Sequence, residues 1–253
     1  MTYCLAIKVL EGLVFASDSR SNAGVDYVSV YSKMHSFGIP GERSLFLLTA
    51  GNLATTQAVV NLIQRDLDNP KAKHGIFKAR YLHDAAHYVG ELSVEVQERH
   101  AEALKQSGNS PEASFILGGQ IKGRPPNIYR IYPEGNCITA SPETPYLQIG
   151  ESKYGKPILD RLVGPAMSLE DAARCALVSI DSTIRSNVSV GPPVEVTIYR
   201  NDMLAPGEHL NLKLNSPLYT AIQKHWGDGI KDAFRKLPRF DWETAAPKGR
   251  SRR

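Results

Sequence analysis

The order in which apolar periodicity changes along this chain constrains its fold more than any other feature. Strand-like runs come in blocks, helical runs come between those blocks, and the two do not alternate one for one. Tyr3–Leu10 and Leu13–Ser17 flank Glu11-Gly12, a two-residue hairpin signal. Val25–Phe37 reads as an extended pair of runs, with Tyr27, Ser29, Tyr31 and Lys33 on one parity. Pro40-Gly41 turns the chain into a strand at Ser44–Thr49, which ends at Ala50-Gly51-Asn52. Two helices follow, Asn52–Leu67 and Ala79–Leu104, separated by the polar loop Asn69–Gly75. Strands return at Ala113–Gln120, Asn127–Tyr132, Cys137–Ala140 and Tyr146–Ile149. Two more helices are expected over Ser152–Leu162 and, behind a capping box of Ser168 and Asp171, on to Ile184. Val194–Arg200 and His209–Leu214 are late strands, and Ser216–Arg235 is a final amphipathic helix with Tyr219, Ile222, Trp226, Ile230 and Phe234 on one stripe. Such blocks suit one domain of two packed sheets with helices outside, not a β-α-β succession.

Composition excludes several classes. A chain of 253 residues can bury a large core, and 42% hydrophobic with 22% charged residues is ordinary for a soluble globule. The net charge of +4 is mild, and part of it sits on Lys248, Arg250, Arg252 and Arg253. That run reads as a disordered basic tail over 246–253. With no aromatic-interleaved basic patch, no nucleic-acid partner is expected. Cys4, Cys137 and Cys175 are widely spaced without a C-x-x-C, as reduced, packed thiols in a cytoplasmic protein would be. No signal peptide is expected, because Lys8 and Glu11 break the first apolar run. No stretch approaches the roughly 18–20 apolar residues of a membrane helix.

The chemistry lies near the start. Thr2 becomes the first residue if Met1 is removed. It then carries a nucleophilic hydroxyl and its own base, an α-amine with a pKa of roughly 7.7–8.0. Asp18 and Lys33 are the two charges that would hold and tune that pair. The bland alternative for Asp18 and Arg20 is a surface ion pair contributing roughly 0–1 kcal/mol. Against it, Asp18 ends a run apolar on both parities, which places it near the core.

Taken together, Thr2, the run Val14-Phe-Ala-Ser-Asp18-Ser-Arg20-Ser-Asn-Ala-Gly24, Lys33, and Leu48-Thr-Ala-Gly51 ahead of a helix resemble a proteasome β-subunit. The opening Met-Thr-Tyr-Cys-Leu-Ala-Ile-Lys and the added C-terminal helix resemble more closely Anbu, the bacterial ancestral-β-subunit family. The likeness to β-subunits runs from Thr2 to about residue 200. The resemblance implies an α+β fold, a four-layer α-β-β-α sandwich of two antiparallel sheets of the N-terminal-nucleophile hydrolase type. It implies a single domain over 1–253 with a C-terminal helical extension about 216–237. It also implies a threonine hydrolase of peptide or protein substrates that assembles into rings or ring-like spirals, with no cofactor and no metal in its chemistry.

The family's roles carry over residue by residue. Thr2 resembles the nucleophile, Asp18 its acidic partner, and Lys33 the lysine which that acid orients. Gly51 resembles the glycine whose N–H forms the oxyanion hole. Gly150-Glu-Ser152 is similar to the segment that supplies an active-site serine, and Arg185-Ser186-Asn-Val-Ser189-Val-Gly191 to the later Asp-x-x-Ser segment. Lys33 comes one residue early, and a shorter turn near Gly24 would absorb the difference. The sequence leaves open whether Glu151 or Ser152, and whether Ser186 or Asp181, fills the supporting positions. Individually, Ser152 and Ser189 are more often caps or turn residues.

Other functions remain in view. A small-molecule amidase or a catalytically silent ring-forming subunit could use the same fold. The rival chemistry is His83-Asp-Ala-Ala-His87, whose histidines share one helical face at i and i+4. Asp84 stands where a metalloprotease needs Glu, and no clear third ligand follows nearby in the sequence. Two histidines on a semi-exposed face is the preferred reading.

Overall fold

Strands apolar on both parities need an apolar layer on each face, and this chain supplies both. The computed structural model describes residues 2–22 and 28–244. Its strands and helices are β1 (Tyr3–Val9), β2 (Gly12–Asp18), β3 (Arg20–Asn22), β4 (Val28–Val30), β5 (Met34–Ile39), β6 (Arg43–Gly51), α1 (Leu53–Asp68), α2 (Leu82–Gln106), β7 (Ala113–Ile121), β8 (Asn127–Ile131), β9 (Cys137–Thr139), β10 (Tyr146–Gly150), α3 (Lys156–Leu162), α4 (Leu169–Ser186), β11 (Val194–Arg200), β12 (Glu208–Leu212), α5 (Pro217–Arg235) and α6 (Asp241–Thr244). Among the described residues, β10-β1-β2-β11-β12 form one antiparallel sheet and β5-β6-β7-β8-β9 the other, while β3 and β4 form a separate ribbon.

The layers follow from strand parity. On β1, Cys4 and Ala6 face the second sheet, while Tyr3, Leu5, Ile7 and Val9 face α3–α5. On β6, Phe46, Leu48 and Ala50 join the intersheet core, while Leu45 and Leu47 pack with α1 and α2. Phe15 of one sheet meets Phe46 of the other with ring centroids 4.8 Å apart. Fully burying each such ring contributes roughly 1.5–3 kcal/mol. The four-layer α-β-β-α sandwich is therefore the observed architecture.

Boundaries moved where local chemistry outweighed periodicity. The second helix starts at Leu82, not Ala79, because the Asp84 carboxylate accepts the Tyr81 N–H at 3.2 Å and closes the helix end there. The third starts at Lys156, not Ser152, with Pro157 in its first turn, so Glu151 and Ser152 belong to the loop after β10. The final strand closes at Leu212 rather than Leu214.

The expected shared parity of Ser29, Tyr31 and Lys33 does not hold. Residues 31–33 leave the ladder between β4 and β5, so alternation restarts there; Tyr31 is exposed and Lys33 is buried. Met1, Tyr27, the turn near Gly24 and the tail 246–253 lie outside the described residues.

Along α5 the apolar stripe divides. Tyr219 is buried and Ile222 packs beside it against the α4 cluster, whereas Ile230 is 50% and Phe234 73% exposed. The first turns of the added helix thus cover the subunit's own core, and the last turns do not. Cys4 and Cys175 are buried, and Cys137 is half-buried. Among the described residues, no helix is long and apolar enough to cross a membrane.

Candidate active site

One buried carboxylate gathers three distant segments. Asp18 ends β2 with no solvent exposure. Its Oδ1 accepts from the Tyr3 N–H at 3.0 Å and from Lys33 Nζ at 2.7 Å, and its Oδ2 accepts from the Gly191 N–H at 3.0 Å. The chain start, the bend before β5 and the turn before β11 are thereby joined at one side chain. Lys33 is also buried and donates a second hydrogen bond to the Arg20 carbonyl. Burial pushes the Asp18 carboxyl above its ordinary pKa, and the Lys33 ammonium and the two N–H donors oppose that rise. Because Lys33 Nζ and the Tyr3 N–H share one oxygen, the ammonium sits within two hydrogen bonds of the Thr2–Tyr3 peptide.

The lysine reaches this place because residues 31–33 are not in a strand. A position inside a ladder would have been bound to one face; a bend sets its own direction. Lys33, one residue early in the sequence, thus still reaches Asp18.

Thr2 lines the mouth of a cleft of about 670 Å³, together with Gly51, Asn52, Gly150, Ser21, Ser29, Tyr31 and Asn109. Gly51 ends β6 with a φ of 110°. The next residue, Asn52, caps α1, its Oδ1 accepting the Thr55 N–H at 3.2 Å and its Nδ2 reaching the Ser110 carbonyl at 3.0 Å. Strand end and helix start are therefore fixed together beside Thr2. A larger, mostly apolar groove of about 940 Å³ between α4 and α5 has neither Thr2 nor Gly51 in its walls. Its size does not make it the chemical site.

Thr2 itself is set by backbone. Its carbonyl accepts the Glu151 N–H at 2.7 Å, and Tyr3 pairs with Gly150 in the sheet. Gly150 has a φ of 80°, and a Cβ there would stand 1.9 Å from the Thr2 carbonyl oxygen. Gly150→Ala is accordingly expected to displace the chain start. Strain of this kind costs about 1–3 kcal/mol, and the reactivity of Thr2 towards a covalent inhibitor should fall with it. Unchanged melting temperature and unchanged labelling would show that this contact does not set Thr2.

The supporting positions are divided among residues that the sequence left open. Glu151, not Ser152, is the buried member of its segment; its carboxylate accepts from Asn187 Nδ2 at 3.0 Å. Asn187 Oδ1 in turn accepts the Ser189 N–H at 2.9 Å. A chain of hydrogen bonds therefore runs from the Thr2 carbonyl through Glu151 and Asn187 to Ser189. Ser152 and Ser189 are half-buried and neither lines the cleft; the Ser152 carbonyl accepts the Lys156 N–H at 3.0 Å, the first bond of α3. Ser186 is exposed. Asp181 is buried, but it pairs with Arg185 at 2.8 Å and accepts from Gln223 Nε2 of α5, so its charge anchors the added helix.

Two residues near the site escaped sequence reasoning. Glu195 is buried in β11 and accepts from Ser32 Oγ at 2.8 Å and Ser19 Oγ at 3.4 Å, bracing the segments beside Asp18 and Lys33. Its signal was a lone charge inside an apolar strand run. Asn187 carried no signal, since only the fold sets it against Glu151. Away from the cleft, His83, His87 and Cys137 bring three metal-ligating atoms together.

Comparison with known proteins agrees with this fold. The sequence model of the proteasome-subunit family matches residues 2–199. A proteasome subunit beta from Haloquadratum walsbyi (strain DSM 16790 / HBSQ001) is 24% identical over 213 residues, 82% of this chain and 77% of that protein. The solved structure of Anbu from Yersinia bercovieri is 44% identical and superposes with a TM-score of 0.89, covering 95% of this chain and 99% of that one. A helical assembly of the Anbu complex from Pseudomonas aeruginosa is 45% identical with a TM-score of 0.88, covering 96% of this chain and 100% of that one. An Anbu (Gly-1) mutant from Hyphomicrobium sp. strain MC1 is 42% identical, TM-score 0.88, over 95% and 100% of the two chains.

Proposed function

The chain belongs to the proteasome-subunit family, on its Anbu branch, and from that premise we propose that it is an N-terminal threonine hydrolase of peptide bonds. The carrying observation is the shared carboxylate: Asp18 binds Lys33 and the first strand amide, one residue from Thr2, at the edge of the cleft.

In this reading Met1 is removed and Thr2 gains a free α-amine. Thr2 Oγ1 attacks the scissile carbonyl while the amine takes the hydroxyl proton. The Lys33 ammonium disfavours a second positive charge beside it and so keeps the amine in its neutral, proton-accepting form. The Gly51 N–H stabilises the developing oxyanion. The amine then returns the proton to the leaving nitrogen, giving an ester on Thr2. Water, deprotonated by the same amine, cleaves that ester and restores the threonine. The Glu151 N–H holds the Thr2 carbonyl and so positions the residue, and Asn187, itself held by the Ser189 N–H, braces the Glu151 carboxylate. The cleft of about 670 Å³ has room for a short extended stretch of substrate. The direct test is intact mass after treatment with a threonine-directed electrophile. One adduct per chain on a species lacking Met1 supports the assignment, and an unreactive chain rejects it.

Self-association is the second part of the proposal, and it rests on the helical assembly of the Pseudomonas aeruginosa relative. Ile230, Phe234, Leu237, Phe240 and Trp242 form the exposed apolar end of this chain's extension. Exposed apolar surface of this kind is commonly covered by a neighbour. Ile230→Asp with Phe234→Asp should therefore give smaller particles by light scattering at an unchanged melting temperature, because both side chains are exposed in the subunit. Particles of unchanged mass would remove this stripe from the interface.

A further inference from the structure

We propose that His83, His87 and Cys137 form a binding site for a borderline-soft divalent metal ion, of which Zn2+ is the best fit, remote from the threonine chemistry. The histidines stand one helical turn apart near the start of α2, and their Nε2 atoms face each other at 3.2 Å. The third ligand comes from 50 positions further along the chain, where β9 begins. The three ligand atoms lie within 4.8 Å of one another.

That geometry is close to what a metal needs. With Zn–N of roughly 2.0–2.1 Å and Zn–S of roughly 2.3 Å, neighbouring atoms of a tetrahedron lie about 3.3–3.6 Å apart. The histidine pair already has such an edge, and the sulfur has to approach by about 1 Å, within the reach of a side-chain rotation. Two imidazoles and a thiolate favour Zn2+ over Mg2+ or Ca2+, which prefer oxygen. The exposed face of the histidines leaves the fourth position to water. Binding converts the Cys137 thiol to a metal-bound thiolate and releases one proton to solvent.

The backbone around the site is built for close approach. A Cβ on Gly90 of α2 would meet the Gly135 carbonyl at 2.1 Å, so only glycine lets the helix lie against the turn before β9. Gln97 Nε2 reinforces the contact by donating to the Pro133 carbonyl at 2.9 Å. The helix and the strand that supply the ligands are thus held together without the ion. Among the described residues β9 pairs with β8 alone, and the ion would clip this short edge strand onto α2. The sequence offered no third ligand because Cys137 is distant along the chain, and only the packing of α2 on the β8–β9 turn brings it near.

The test uses the untagged full chain, reduced and freed of metal, titrated with Co2+ as a spectroscopic stand-in for Zn2+. One Co2+ per chain is expected, with the visible bands of a tetrahedral ion and a near-ultraviolet thiolate-to-cobalt band, all bleached by Zn2+. Cys137→Ser should lose the thiolate band. His83→Ala and His87→Ala should each weaken binding by roughly 10–100-fold or more. Independently of any variant, Zn2+ should protect Cys137 of the native chain from alkylation, as read by peptide mass. A cobalt spectrum without a thiolate band, a band that survives Cys137→Ser, or unprotected Cys137 under saturating Zn2+ overturns the proposal.

Discussion

Lys33→Ala should remove the reactivity of Thr2 and also destabilise the fold. Among the described residues the ammonium is the only side-chain cation on Asp18, and both groups are buried. Its loss leaves a carboxylate held by the N–H groups of Tyr3 and Gly191 alone. Breaking a buried pair costs about 3–5 kcal/mol, partly relieved here because burial already favours protonation of Asp18. The chemical effect is larger. Without the neighbouring positive charge the α-amine holds its proton to higher pH, and acylation should slow by roughly 10³-fold or more, as when one member of a catalytic unit is removed. Asp18→Asn should be nearly as severe, because Lys33 loses its partner. In the unmutated chain the labelling of Thr2 should also fall on the acid side as Asp18 takes up a proton. Since burial raises that pKa, the loss should begin above the ordinary carboxylate range. The measurements are the labelling rate against pH and the melting temperature. A folded Lys33→Ala chain that reacts at the native rate would show that the lysine holds structure only, and the threonine mechanism would fall.

Thr2→Ala should abolish covalent labelling and turnover, by roughly 10⁴-fold or more, while leaving the melting temperature close to native. The separation of effects follows from how Thr2 is held. Its position is set by its carbonyl, which accepts the Glu151 N–H, and by the Tyr3 amide that follows, which donates to Asp18. Thr2→Ser should keep the adduct, since it retains an attacking oxygen and the amine. The mature chain should be lighter than the encoded one by one methionine. A homogeneous species that keeps Met1 in its native host would remove the base and favour a silent, structural subunit. An adduct that forms equally on Thr2→Ala would place the nucleophile elsewhere.

Much of this protein was legible in the sequence, for local reasons. Strand runs apolar on both parities required covered sheets, and β1, β2 and β6 lie between a helical layer and a second sheet. Turn residues such as Gly12, and the helix cap Ser168, act within a few positions, so they could be read directly. The residues Thr2, Asp18, Lys33 and Gly51 were singled out as candidates by their likeness to a family, not by periodicity.

Tertiary structure decided what depends on distant partners. Alternation cannot say that residues 31–33 leave the ladder; that bend turns Lys33 inward to Asp18 and leaves Tyr31 exposed. Nothing near Asp181 in the sequence directs it to Gln223 of α5, nor Glu151 to Asn187, because those bonds span 42 and 36 positions. The same holds for Cys137, which meets two histidines about 50 residues earlier only because two glycines let a helix and a turn touch. Periodicity records which face of an element is buried. It does not record which residue waits on the other side, and for a buried charge or a metal ligand that partner determines the chemistry.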